Sequence, residues 1–258
     1  MKPTILIPAL LALSAACASA DTIYSSIPIP LLPNLPSEAY EATGTTQFGG
    51  LIQFAGSGES YTLSSVTVVM SDWALAADYG STAPGFNVPL TLDIYSVGAG
   101  DTVGSLLGWE TVNAFIPWRP PSAGCDDPTA WRASDGICYH GLASTVSFDL
   151  TGVQVPDQVI YGLALNTQHY GTSPIGHPGP YNSLNFGLAT TAPSVGSNPL
   201  PGTAYVSANA GAFEQEQNWA PYSGAIEFND TAPEPLTLLL TGAGLLGLGA
   251  LRRRRARP

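Results

Sequence analysis

The chain has 258 residues, 45% of them hydrophobic, and eight Lys or Arg against 19 Asp or Glu give a formal charge of −11. Residues 21–230 are more acidic still: Arg119 and Arg132 stand alone against 18 carboxylates, a formal charge of −16. A field of that sign repels nucleic acid and anionic lipid headgroups, so both are poor partners and nucleic acid is not expected.

In chain order, residues 1–20 read as a signal peptide. Lys2 is the basic start, 5–13 the apolar core and Ala18-Ser19-Ala20 the small-residue cleavage site, so the mature chain is expected to begin at Asp21. Cys17 leaves a lipidated cysteine as the alternative. The stretch 23–36 contains Pro28, Pro30, Pro33 and Pro36, which cannot ladder in a central strand, and it reads as an extended lead-in or an edge.

Strand patterns follow. Leu90, Leu92 and Ile94 alternate with polar neighbours, as do Val146, Phe148 and Leu150, then Val159, Tyr161, Leu163 and Leu165, then Leu184, Phe186 and Leu188. Further strands are expected over 47–54, 61–70, 111–116, 204–207 and 225–228, with Gly- and Pro-rich turns between them. Many strands with one apolar face each must bury those faces against a second sheet. The expected fold is therefore all-β, an antiparallel β-sandwich or jelly roll over 21–230, read as one domain because no low-complexity linker divides it.

Cys125 and Cys138, 13 positions apart, are the two cysteines left after signal removal, and in an oxidising compartment they most simply form a disulfide. With only His140 nearby, the pair falls short of a four-ligand zinc set. Trp118, Arg119, Trp131 and Arg132 cluster around this loop, and with His169 and Tyr170 of the later 166–182 segment they form a candidate glycan-binding set. Exposed indole faces stack on sugar rings, and arginine donates to hydroxyls. The competing reading makes these tryptophans a plug at one end of the sandwich, with the arginines neutralising local carboxylates.

Asp126, Asp127 and Asp135 are Ca²⁺ candidates, although their spacing departs from an EF-hand loop; otherwise no cofactor is expected. Glu214, Glu216 and Glu227 form a second, non-specific acidic group. His140, His169 and His177 accompany no Gly-x-Ser-x-Gly elbow and no His-Glu-x-x-His helix, so no catalytic residue is assigned and the chain is read as a non-enzyme.

The tail has three parts: Pro233-Glu234-Pro235, the apolar run 236–251 read as a transmembrane helix, and a basic end (252–258) with Arg252, Arg253, Arg254, Arg255 and Arg257 as a stop-transfer signal. In that order they resemble the C-terminal sorting signal of bacterial PEP-CTERM proteins, over residues 233–258. The resemblance implies an exosortase-like processing enzyme as partner, an association with exopolysaccharide, attachment to the inner membrane through the helix, and a periplasmic main domain destined for the cell envelope or extracellular matrix. A permanent single-span anchor is the alternative. The expected role is structural or adhesive in an exopolysaccharide matrix, with a carbohydrate-binding module and then a secreted glycoside hydrolase as the other readings.

Overall fold

The structure, a computed structural model, describes residues 20–56, 60–165, 179–209 and 211–231. Residues 20–231 form one compact unit. Its strands begin with β1 (Asp21–Ser25), β2 (Ser37–Glu38), β3 (Thr45–Gln53), β4 (Tyr61–Asp72), β5 (Gly85–Val97), β6 (Val103–Pro117), β7 (Trp131–Arg132) and β8 (Cys138–Tyr139). They continue with β9 (Leu142–Asp149), β10 (Gln154–Val155), β11 (Gln158–Leu165), β12 (Leu184–Ala189), β13 (Thr203–Ala208), β14 (Glu214–Gln217), β15 (Ser223–Gly224) and β16 (Ile226–Asp230).

Among the described residues two large sheets result, beside the two-stranded β7–β8 hairpin, and every paired strand in them is antiparallel. The first has eight strands built around β4: Ser65 to Asp72 pair with Asp149 to Leu142 of β9 along one edge, while β16 and then β12 follow one another along the other. The second has six, in the order β14-β13-β3-β11-β5-β6. The alternation seen in the sequence has a direct physical outcome. Leu90, Leu92 and Ile94 of β5 and Val159, Tyr161 and Leu163 of β11 share one buried cluster with Val66, Val68 and Met70 of β4 and Phe148, Phe186 and Phe228 of the opposite sheet. Phe186 and Phe48 meet edge-on across this core with ring centroids 6.0 Å apart. Truncating Phe186 to Ala removes a fully buried ring that little can replace, a loss of about 3–5 kcal/mol.

A smaller cluster lies on the outer side of the six-stranded sheet, where Leu51, Ile160 and Tyr205 are covered by Tyr95, Val97, Val103, Leu200 and Phe213. The proline-rich lead-in begins as an outermost strand, β1 on β16.

The antiparallel, strand-rich part of the expected fold holds, and the membrane part is corrected. No helix among the described residues is long and apolar enough to cross a membrane. The segment 236–251 lies outside the described residues, as do Pro233, Glu234, Pro235 and the terminal arginines. The transmembrane helix, the inner-membrane partner and the periplasmic placement drawn from it are therefore withdrawn.

Candidate functional site

Register decides where the loops emerge. Asp72 at the end of β4 lies opposite Leu142 at the start of β9 and Leu184 at the start of β12, and Pro117 at the end of β6 lies opposite Gly85. β11 runs toward the same end of β5, its last residue Leu165 facing Leu90. The connection 118–141 and the connection between β11 and β12 thus leave from one end of the molecule. Of the second connection, His169, Tyr170 and His177 lie outside the described residues.

At this end the expected disulfide is present: Cys125 and Cys138 are bonded, with their Cα atoms 6.0 Å apart. It ties down the small hairpin β7–β8, in which Trp131 faces Tyr139 and Arg132 faces Cys138. The polar groups of the loop turn inward on its own backbone. Arg132 donates to Gly136 O at 2.7 Å and to Gly124 O. Trp131 Nε1 donates to Gly141 O at 2.9 Å. Asp135 accepts from Ile137 N and from the Tyr139 hydroxyl, both at 2.8 Å.

Asp127 accepts from the Thr129 amide at 2.8 Å and hydroxyl at 2.6 Å, and its carboxylate lies 3.4 Å from His140 Nε2. The two Thr129 bonds, assisted by His140, hold its carboxyl below the ordinary carboxylate range. Among the described residues no set of three or more His, Cys, Asp or Glu could hold a metal ion. All three aspartates are exposed, and Asp127 and Asp135 brace the loop through the bonds above. The other acidic group is dispersed: Glu214 and Glu216 are on β14 of one sheet and Glu227 on β16 of the other.

Beneath the loop, the end of β4 carries a buried polar pair. Asp72 Oδ1 accepts from Ala74 N at 3.2 Å, and Oδ2 is buried without a hydrogen-bond partner among the described residues. Burial pushes this carboxyl up to about 7, against the opposing pull of the Ala74 and Arg119 amides and the Arg119 charge. Arg119 is 8% exposed and donates to Trp73 O at 2.9 Å and to Pro120 O and Ser122 Oγ at 3.3 Å. Trp118 lies between Tyr79, stacked at 5.7 Å, and Phe86 at 4.8 Å, with its Nε1 buried and unpaired among the described residues. Trp73 stacks on His140 at 5.5 Å. Trp118 and Trp131 are half-buried in this lid of packed rings, while Trp73 and Tyr79 at its rim stay 44% and 39% exposed.

A cleft of about 400 Å³, which the sequence reading missed, lies elsewhere, where 190–202 crosses the other end of the sandwich. Val195 and Ser197 bridge to Ser25 and Gln53 there. Its walls carry Thr190, Thr191, Ser197, Asn198, Tyr222 and Ser223 among prolines and glycines, with no Asp, Glu, His, Lys or Arg. Such a size is within the range of small-molecule sites. In sequence these residues give only a turn-rich composition, which signals a loop and nothing about its concavity.

No family model, curated protein or solved structure matches the chain.

Proposed function

We propose that this is an exported cell-envelope or extracellular-matrix protein with a structural or adhesive role in association with exopolysaccharide. The observation that carries the reading is the chemistry of its surface. Among the described residues the two cations are both occupied by backbone carbonyls: Arg119 donates to Trp73 O and Pro120 O, and Arg132 to Gly124 O and Gly136 O. Carboxylates, hydroxyls, amides and aromatic faces are what remain to meet a partner. Those groups suit a neutral, hydroxyl-rich polymer and disfavour polyanions.

Two further features support it. The Cys125–Cys138 bond suits an oxidising compartment. Residues 233–258 resemble a PEP-CTERM sorting signal. The uncharged cleft favours a second reading, a discrete carbohydrate-binding module.

The test is fractionation of the producing cells, followed by intact-mass measurement with and without reductant. Enrichment with the exopolysaccharide, release on enzymatic digestion of that polymer, and a gain of two hydrogens on reduction are expected. Recovery in the cytoplasmic fraction with free thiols contradicts the proposal.

A further inference from the structure

The long edge strand β6 carries two different faces. On the inner side Ala114 and Ile116 are buried in the core. On the outer side Trp109 and Phe115 are 60% and 52% exposed. Residues six apart on a strand share a face and lie about 20 Å apart, so the two rings mark the ends of a straight stripe. Thr111 and Asn113 stand between them.

Register places Asp93, Thr91, Pro89 and Asn87 of β5 directly opposite Trp109, Thr111, Asn113 and Phe115. The Thr91 and Thr111 hydroxyls touch at 2.7 Å. One strand further in, Gly162 and Ala164 stand beside Asp93 and Thr91, and the Gln47 amide and the Phe213 ring close over Gly162 and wall the stripe on that side.

The polar end of the stripe is organised. Gln47 Nε2 donates to Asp93 Oδ2 at 2.8 Å and to the Tyr95 hydroxyl at 3.2 Å. Asp93 is thereby fixed next to the exposed indole. At the other end the Phe115 ring rests over Gly85, where a Cβ would come within 2.6 Å of its tip. The ring therefore lies along the sheet and does not stand away from it.

We propose that this outer β5–β6 face binds an extended, uncharged polysaccharide chain, with Trp109 and Phe115 as stacking platforms and the Asp93–Gln47 pair as the polar anchor. The assignment rests on the exopolysaccharide reading above and gives it a location. Two flat apolar rings separated by hydroxyl and amide groups complement a polymer whose sugar rings present C–H faces and equatorial hydroxyls in turn. A rigid sheet presents them with little ordering entropy to lose. The stripe has no cation, so phosphorylated or uronate-rich chains are disfavoured.

The chemistry also argues against a protein strand as the occupant. Glu110, on the inner face of β6 opposite Leu92, has its Oε2 buried without a partner among the described residues. An inward-pointing charge on an edge strand is a device that blunts edge-to-edge pairing.

The experiment is retention of the full-length protein in affinity gels containing a neutral linear β-glucan, a neutral galactomannan or, as the charged control, polygalacturonate. Retention by at least one neutral polymer and none by polygalacturonate is expected. Trp109→Ala weakens that retention about tenfold and Phe115→Ala about threefold, while Leu32→Ala, at an exposed leucine of the proline-rich lead-in, leaves it unchanged. Both stripe residues are exposed, so the variants keep the wild-type melting temperature.

Wild-type retention that survives the Trp109→Ala/Phe115→Ala double variant overturns the site and leaves the matrix reading intact. Preference for polygalacturonate, or a self-association seen by sedimentation that Trp109→Ala abolishes without any glycan retention, also overturns it. Failure of the matrix reading is recognised separately, by cytoplasmic recovery of the native protein.

Discussion

The disulfide-tied end and the β5–β6 face use the same residue types in opposite ways. At the tied end, Trp118 is enclosed by Tyr79 and Phe86, Trp131 is hydrogen-bonded to Gly141 O, and both arginines donate to backbone carbonyls. On the sheet face, Trp109 stands open beside a braced carboxylate. An aromatic beside a disulfide in sequence therefore says little about access. The surrounding donors and acceptors determine whether the ring closes a structure or presents a surface.

Breaking the tied end should produce the largest effects. Arg119→Ala removes a buried charged donor and three hydrogen bonds, and it leaves Asp72 without its neighbouring charge. Urea unfolding should show a loss of about 3–4 kcal/mol. Replacing Cys125 and Cys138 together by Ser frees a loop closed over 13 positions and should cost about 3 kcal/mol, with the exposure of Trp109 unchanged. Trp118→Ala should cost about 2–3 kcal/mol by the same measurement.

A pH series sharpens the contrast further. Asp72 is raised from its ordinary 3.8 to about 7 because burial disfavours its charged form. Between those values the native state holds a proton that the unfolded chain has released. The Asp72 contribution to stability therefore falls as pH rises from 3.8 toward about 7. Asp72→Asn should flatten that slope in urea titrations at a series of pH values. The smallest effect is reserved for the open face: Trp109→Ala should change stability by less than about 0.5 kcal/mol, because the ring is mostly in water already.

Much of the fold was legible because period-two alternation is a direct record of which face is buried. The patterns on β5, β9, β11 and β12 each sit in a core-lining strand. β6 was legible only over 111–116, although it runs from Val103 to Pro117. Its outer face carries Trp109 and Phe115 while its inner face carries Glu110, so polarity no longer reports burial there. β14, Glu214–Gln217, has no apolar face at all and pairs as an outermost strand. The disulfide was legible because only one pairing exists between two cysteines. The tryptophan set at the loop was legible as a cluster, but not as a lid, because side-chain bonds to backbone carbonyls leave no trace in residue spacing. The cleft at 190–202 and 220–223 depends on how two loops approach one another and was invisible.

Hydroxyl-radical footprinting with mass-spectrometric readout, on the full-length protein with and without its retained neutral polysaccharide, tests the central claim most directly. Protection of Trp109 and Phe115 by the polymer, with Trp118, Trp131 and Tyr222 unchanged, is the predicted result. Protection confined to Trp118 and Trp131, or to Tyr222, with Trp109 oxidised at the same rate in both samples, would contradict it.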